Sequence, residues 1–311
     1  MNRSPAAFAK INRLPDERVQ AGAVAFFAIH AIAVAGAIWT GFSWKLLGLA
    51  VLSYYLRMAG TTIGYHRYFS HRTFKTSRAF QAFLAFWAQT SAQKGALWWA
   101  AHHRDHHKYS DTDGDIHSPL RGFWWSHMGW ILCNKYNATK YENIKDFAKY
   151  PELRWLNRNG LVPAVALAVV IFLVGGLPAL IWGFFISTVL LWHGTFLVNS
   201  LNHVWGTVRY ESQDLSKNNG LIALVTMGEG WHNNHHHYQS SANQGFFWWE
   251  VDLSFYLIKL FQAVGLVWEV RTPPQKILAD TIAARTDQPD AVERITSPAP
   301  LPIATQLEAS P

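Results

Sequence analysis

The sequence predicts an all-α integral membrane protein, with four transmembrane helices and a cytoplasmic helical cap that carries a histidine-rich two-metal site. Three observations predict it. Half of the 311 residues are hydrophobic and only 15% are charged, and several apolar runs are long enough to cross a hydrocarbon core about 30 Å thick. Lysine and arginine are scarce in the two short connections between those runs. Histidines, in contrast, crowd into three clusters beside the ends of the runs.

Taken in order, residues 1–21 form a polar segment with Lys10, Arg13 and Arg18. The acids of "DERV" stand just before the first apolar run, and no convincing cleavage site follows it, which argues against a secretory signal. The membrane domain is expected over residues 22–272. Its first two spans fall at about 22–44 and 46–65, separated by Lys45. Arg57 lies near the end of the second span and is expected to snorkel to the interface. Residues 79–101 are apolar but interrupted by Gln81, Gln89, Gln93 and Lys94, and read as helix on or dipping into the membrane. Two further spans, about 161–176 and 178–200, meet at Gly175, Gly176 and Pro178 in a tight hairpin. The cap comprises about 66–158 and 203–272, including a moderately apolar helix near 253–267. The Ala-, Pro-, Thr- and Asp-rich tail, 273–311, reads as disordered.

Charge gives the orientation. The connections near 40–45 and 175–178 hold one Lys and no Arg, so the N-terminus, the cap and the C-terminus are expected on the cytoplasmic side of a bacterial inner membrane. The formal charge of +7 then suits anionic lipid; no basic stripe or base-stacking motif points to nucleic acid. The single Cys133 excludes an intramolecular disulfide and Cys-based metal sites, and reads as core packing.

The histidine clusters are "HRYFSH" (His66, His71), "HHRDHH" (His102, His103, His106, His107) and "GEGWHNNHHHYQ" (His232, His235, His236, His237). At about 100° per residue, His103, His106 and His107 share a helix face, as do His232, His235 and His236. His102 and His237 point elsewhere. His66 and His71, five apart, suit a helix end that frays or turns. Eight converging imidazoles are too many for one ion, so two metals are expected, and imidazole alone selects none among Zn, Cu, Fe and Ni. His30, His117, His127 and His193 read as ordinary surface or satisfied core residues. The acids of "DTDGD" (Asp111, Asp113, Asp115) lack the Gly and Glu an EF-hand places downstream and read as a hydrophilic loop.

In order and spacing, these boxes resemble the membrane fatty acyl desaturases of the stearoyl-CoA (Δ9) type. The likeness covers about residues 45–270, through "GYHRYFSHRTFK", "HRDHHKYSDTDGDIHSP", "NSLNH" and "GEGWHNNHHHYQ…WWEVD", and is strongest to bacterial and cyanobacterial members. It implies an oxygen-dependent oxidoreductase that inserts a cis double bond, at Δ9, into a saturated acyl chain. It also implies two non-haem irons held by His66, His71, His103, His106, His107, His203, His232, His235 and His236, with Asn199 reaching the metal through water. Gln93, Trp99 and Thr195 would line the bend of an acyl tunnel, although ordinary packing accounts for them equally well. Tyr54 matches the tunnel-end position; Met58 stands where members often have a small residue, which points to shorter chains.

The chemistry agrees with iron, because taking hydrogens from an unactivated methylene pair needs a strong oxidant, O₂ at a redox metal, and zinc has no redox chemistry. No cytochrome b5 haem motif, His-Pro-Gly-Gly, occurs, and no haem or flavin is expected in the chain. Electrons are therefore expected from a separate ferredoxin or cytochrome b5-like protein with its reductase, attracted to the basic surface. The acyl carrier, whether CoA, lipid or carrier protein, stays open. A membrane di-iron hydroxylase is the nearest alternative, though those commonly have H-x3-H in the first box; a non-redox zinc protein is the more distant one.

Overall fold

The computed structural model describes residues 19–281. The N-terminal segment before Val19 and the tail beyond Thr281 lie outside the described residues. Within them, three helical runs are long and apolar enough to cross a membrane. The first is α1 (Ala23–Thr40). In the second, α2 (Trp44–Ala59) passes without a break into a π-helix, Gly60–Ser70. The third, Val162–His203, has 42 residues. At 1.5 Å per residue it would reach about 63 Å if straight, twice a hydrocarbon core.

It is not straight. Gly176 sits at φ 69°, ψ −166° inside α8 (Val162–Leu180), and Pro178 follows. Glycine tolerates that left-sided φ, and proline removes a backbone donor. The chain folds back there, because Ile171 packs against Gly183, with the break between them: a Cβ on Gly183 would lie 3.4 Å from Ile171 Cγ2. A π-helical turn, Ile181–Ile186, then leads into α9 (Ser187–Ser200) and a 3₁₀ turn, Leu201–His203. Val24, Phe27, Val34 and Ile38 on α1, and Val165, Val169, Leu173 and Val174 on α8, face outward, as lipid contact requires.

Arg57 corrects the snorkelling expectation. It is buried and donates to Thr90 O at 3.0 and 2.8 Å, to Ser187 Oγ at 2.8 Å and to Thr188 Oγ1 at 2.7 Å. The cost of burying its charge is offset by this set of acceptors, drawn from two other segments. Cys133 is buried, as expected of a packing residue.

The stretch read as one interfacial helix is two, α3 (Arg78–Gln89) and α4 (Ala96–Tyr109). Ala92 and Lys94, at φ 57° and 72°, make the bend. Between α4 and α8 lie short helices α5 (Phe123–His127), α6 (Lys145–Ala148) and α7 (Pro151–Arg158). After His203 come α10 (Gly220–Val225), α11 (His232–His237), α12 (Leu253–Ala263) and α13 (Gln275–Ala279). Order therefore continues past Pro273, where the sequence reads as disordered, and Tyr210 Oη donates to Leu278 O at 3.3 Å. Two short strands, Lys75–Thr76 (β1) and Val267–Trp268 (β2), pair antiparallel and tie the start of α3 to the end of α12. A core of Tyr65, Phe69, Leu84, Leu97, Phe147 and Leu153 locks the π-helix to α3, α4, α6 and α7. That core fixes the first two histidine clusters relative to each other.

Candidate metal centre

The five-residue spacing of His66 and His71 is explained by the π-helix, whose i→i+5 hydrogen bonds bring such residues to one side. His71 N itself donates to His66 O at 3.2 Å. The second cluster lies on α4 and the third on α11. "GEGW" shapes the approach to α11. A Cβ on Gly228 (φ 120°) would lie 2.3 Å from Asp252 Oδ1, and one on Gly230 would lie 2.0 Å from Ala223 N.

The histidines converge as two sets. His66, His71, His103, His107 and His235 form one, and His106, His203, His232 and His236 the other; within each, one ring nitrogen per residue lies within 4.8 Å of all the others. The shared helix face of each box is thus divided. His103 and His107 serve the first set and His106 the second, while His235 serves the first and His232 and His236 the second. His102 and His237 stay out. His102 Nδ1 contacts Trp98 O at 2.9 Å, and His237 stacks on Tyr210 with centroids 4.4 Å apart.

In the five-histidine set the Nε2 atoms of His66 and His235 lie 3.0 Å apart, His235 and His107 2.9 Å, His107 and His103 3.0 Å, and His103 and His71 2.9 Å. In the other, His203 and His232 Nε2 lie 3.1 Å apart. Two imidazoles at right angles on an ion at about 2.1 Å would place their nitrogens about 3.0 Å apart. Hydrogen bonding cannot explain the convergence, since a ring nitrogen carries either one proton or one lone pair.

The outward nitrogens fix the tautomers. His203 Nδ1 lies 2.8 Å from Asp111 Oδ2, His106 Nδ1 3.0 Å from Asp115 Oδ1, and His236 Nδ1 2.5 Å from Asp214 Oδ2. His66 Nδ1 contacts Glu229, which also pairs with Arg67. A proton on each Nδ1 leaves each Nε2 a lone pair aimed inward, and His236 Nε2 has no hydrogen-bond partner. The donor set fits two metal cations. Burial first, and the neighbouring imidazoles second, hold His71, His103, His107, His232 and His235 well below the usual histidine range, which keeps them neutral and ligand-competent. Burial alone would raise the carboxyls of Asp111, Asp115 and Asp214, but the histidines facing them more than reverse this and keep them ionised.

These carboxylates correct the reading of "DTDGD" as a plain hydrophilic loop: Asp111 and Asp115 are outer partners of two different histidines. His117 also sits against His106, their ring centroids 4.2 Å apart. Asp214 and Glu229 carried no sequence signal of this kind, except that Glu229 lies inside the third motif. His30, His193 and His127 form a separate chain of ring-nitrogen contacts at 3.1 and 2.9 Å, ending on Ser200 Oγ at 3.0 Å. They are satisfied packing residues, as the sequence reading had them.

A cavity of about 480 Å³ runs to the histidines, lined among others by Phe26, Trp192 and Phe196, and by Gln93, Trp99, His103, Thr195 and Asn199. Gln93 Nε2 donates to Thr195 Oγ1 at 3.0 Å and Trp99 Nε1 to Gln93 Oε1 at 3.4 Å, so these three form one hydrogen-bonded group in its wall. A smaller cavity of about 30 Å³ shares Trp99, His103, Thr195 and Asn199 with it and is lined also by Met58, Thr61, Thr62, His66 and His232. Tyr54 lies behind Met58 and donates to Val225 O at 2.9 Å. Both press on Gly194, where a Cβ would lie 2.5 Å from Tyr54 Oη and 3.1 Å from Met58 Cε.

Comparison with known proteins agrees with this centre. The family model for fatty acid desaturase matches residues 42–256. The chain is 40% identical over 260 residues to the sn-1 stearoyl-lipid 9-desaturase of Synechocystis sp., an alignment spanning 82% of this chain and 81% of that protein. It is 38% identical to the sn-2 palmitoyl-lipid 9-desaturase of Nostoc sp., over 81% of this chain and 90% of that one. It is also 40% identical to the acyl-CoA C20 Delta5-desaturase of Anemone leveillei, over 75% and 76% of the two chains. With its apolar runs, its paired histidine sets and these relatives, the chain belongs to the fatty acid desaturase family and is an oxidoreductase.

Proposed function

We propose that the protein inserts a cis double bond at the Δ9 position of a saturated acyl chain, using two irons held by the nine histidines, with Asn199 reaching one of them through water. The observation that carries this is that the apolar cavity reaches the five-histidine set at His103, beside Trp99, Thr195 and Asn199, where the small cavity also touches His66 and His232, one residue from each set. Iron, when bound, supplies with O₂ the oxidising power that two unactivated methylenes require. Overall, the acyl chain gives two electrons and two protons, a donor gives two electrons and the solvent two protons, and O₂ leaves as two waters.

The protein's own residues position and exclude. Gln93, Thr195 and Trp99 hold the bend of the acyl chain, so that one carbon pair stops beside His103. Met58, backed by Tyr54, closes the far end and limits chain length. The two halves of the Val162–His203 run are separate spans, which makes four in all and puts the cap on the cytoplasmic side. There a separate ferredoxin or cytochrome b5-like protein delivers electrons. The substrate is an acyl-lipid or acyl-CoA, the classes named for the relatives.

Lipid analysis of a host expressing the chain tests this. New monounsaturated chains with the double bond between carbons 9 and 10, located by mass spectrometry, are expected. Hydroxylated chains without an alkene would overturn the reading.

A further inference from the structure

We propose that Asp111, Asp115 and Asp214 are positioning residues that make the two metal positions electronically unequal, the four-histidine position being the one that retains the higher oxidation state. The inference rests on the two-iron reading above and concerns what surrounds the histidines.

The outer partners are distributed unevenly. In the four-histidine set, three of four rings donate an Nδ1–H hydrogen bond to a carboxylate: His106 to Asp115, His203 to Asp111 and His236 to Asp214. All three carboxylates are nearly shut off from solvent, with side-chain exposures of 0, 4 and 8%. Among the described residues their ion pairs are with histidines alone, so no arginine or lysine there cancels them. In the five-histidine set, among the described residues, only His66 meets a carboxylate, Glu229, and that charge is shared with Arg67 at 3.1 Å. Arg67 also pairs with Asp252 at 2.9 Å. The remaining outer contact is a neutral amide, Gln244, 3.2 Å from His66 Nδ1 and 3.5 Å from His235 Nδ1.

A carboxylate that accepts a hydrogen bond from Nδ1–H raises the basicity of the opposite nitrogen. Three such partners push electron density into one position and add three nearby negative charges. The fifth imidazole of the other set adds a donor but no charge. A greater ionic charge is therefore better tolerated at the four-histidine position. This also gives "DTDGD" a purpose: one loop carries the outer partners of His106, on the helix before it, and of His203, which lies 92 residues after Asp111.

The test uses full-length protein in detergent, loaded with ⁵⁷Fe, titrated with reductant and followed by Mössbauer spectroscopy. One ferric signal is expected to persist after the other has gone. Asp214→Asn and Asp111→Asn should weaken ferric preference at that position, which moves its midpoint up by about 59 mV per tenfold change. Glu229→Gln should leave that midpoint in place. Where Asp214→Asn loses that iron, Asp214→Glu, which keeps the carboxylate, should restore both the iron and its late reduction. Simultaneous reduction of both irons in the unaltered protein, or equal effects of Asp214→Asn on both, would overturn it. Two irons reducing together sinks the inequality alone, whereas fewer than two irons per chain at saturation defeats the underlying reading.

Discussion

Met58→Ala tests whether the cavity end measures the acyl chain. Met58 is 1% exposed, lines the small cavity with Thr61 and Thr62, and has its Cε against Gly194. The substitution removes three heavy atoms from the closed end and leaves room for roughly two methylenes. Each methylene buried contributes about 0.8 kcal/mol, so a chain two carbons longer than the present optimum gains about 1.6 kcal/mol, or about 15-fold in relative kcat/KM. Equimolar palmitoyl, stearoyl and arachidoyl substrates compete in one reaction, and the monoene ratio is read by mass spectrometry. Truncation in a packed core costs about 2–5 kcal/mol, yet an internal competition does not depend on how much protein is folded. Gly194→Ala works in the opposite sense: its Cβ would lie 2.5 Å from Tyr54 Oη and 3.1 Å from Met58 Cε, which tightens the end and shifts products toward shorter chains. An unchanged ratio in both variants would refute Met58 as the stop.

Other consequences follow from the same geometry. Arg57→Met strands acceptors at Thr90 and Ser187 and should cost about 3 kcal/mol, read as a lower thermal midpoint; an unchanged midpoint would contradict its role as a buried tie between spans. His235→Ala should lose metal from the five-histidine set, whereas His102→Ala and His237→Ala keep the full complement by elemental analysis. Metal-free protein should lose stability as the pH falls below about 6.5. The unfolded chain takes up protons there that buried His71, His103, His107 and His235 resist. A midpoint flat down to pH 5 would argue against that burial.

Much of the centre was legible because ligand spacing is local. H-x2-HH on a helix presents one face whatever surrounds it, and His102 and His237 fell outside that face in both the sequence and the structure. The division of each face between two sets was not legible, since it depends on how α4 and α11 approach each other. Outer partners were hidden for the same reason: Asp111 meets His203 across 92 residues, and Asp214 meets His236 across 22. Arg57 misled because its partners, Thr90 and Thr188, come from segments 33 and 131 residues away. The π-helix left a trace in the five-residue spacing of His66 and His71, but the same spacing also fits an ordinary fraying end.

The central claim is that five and four histidines hold two irons beside an acyl chain. Elemental analysis of freshly isolated protein, whose desaturation of a saturated acyl substrate is assayed on the same sample, tests it most directly. Two irons per active chain is the expected result. Full activity in a sample that contains zinc alone would contradict it.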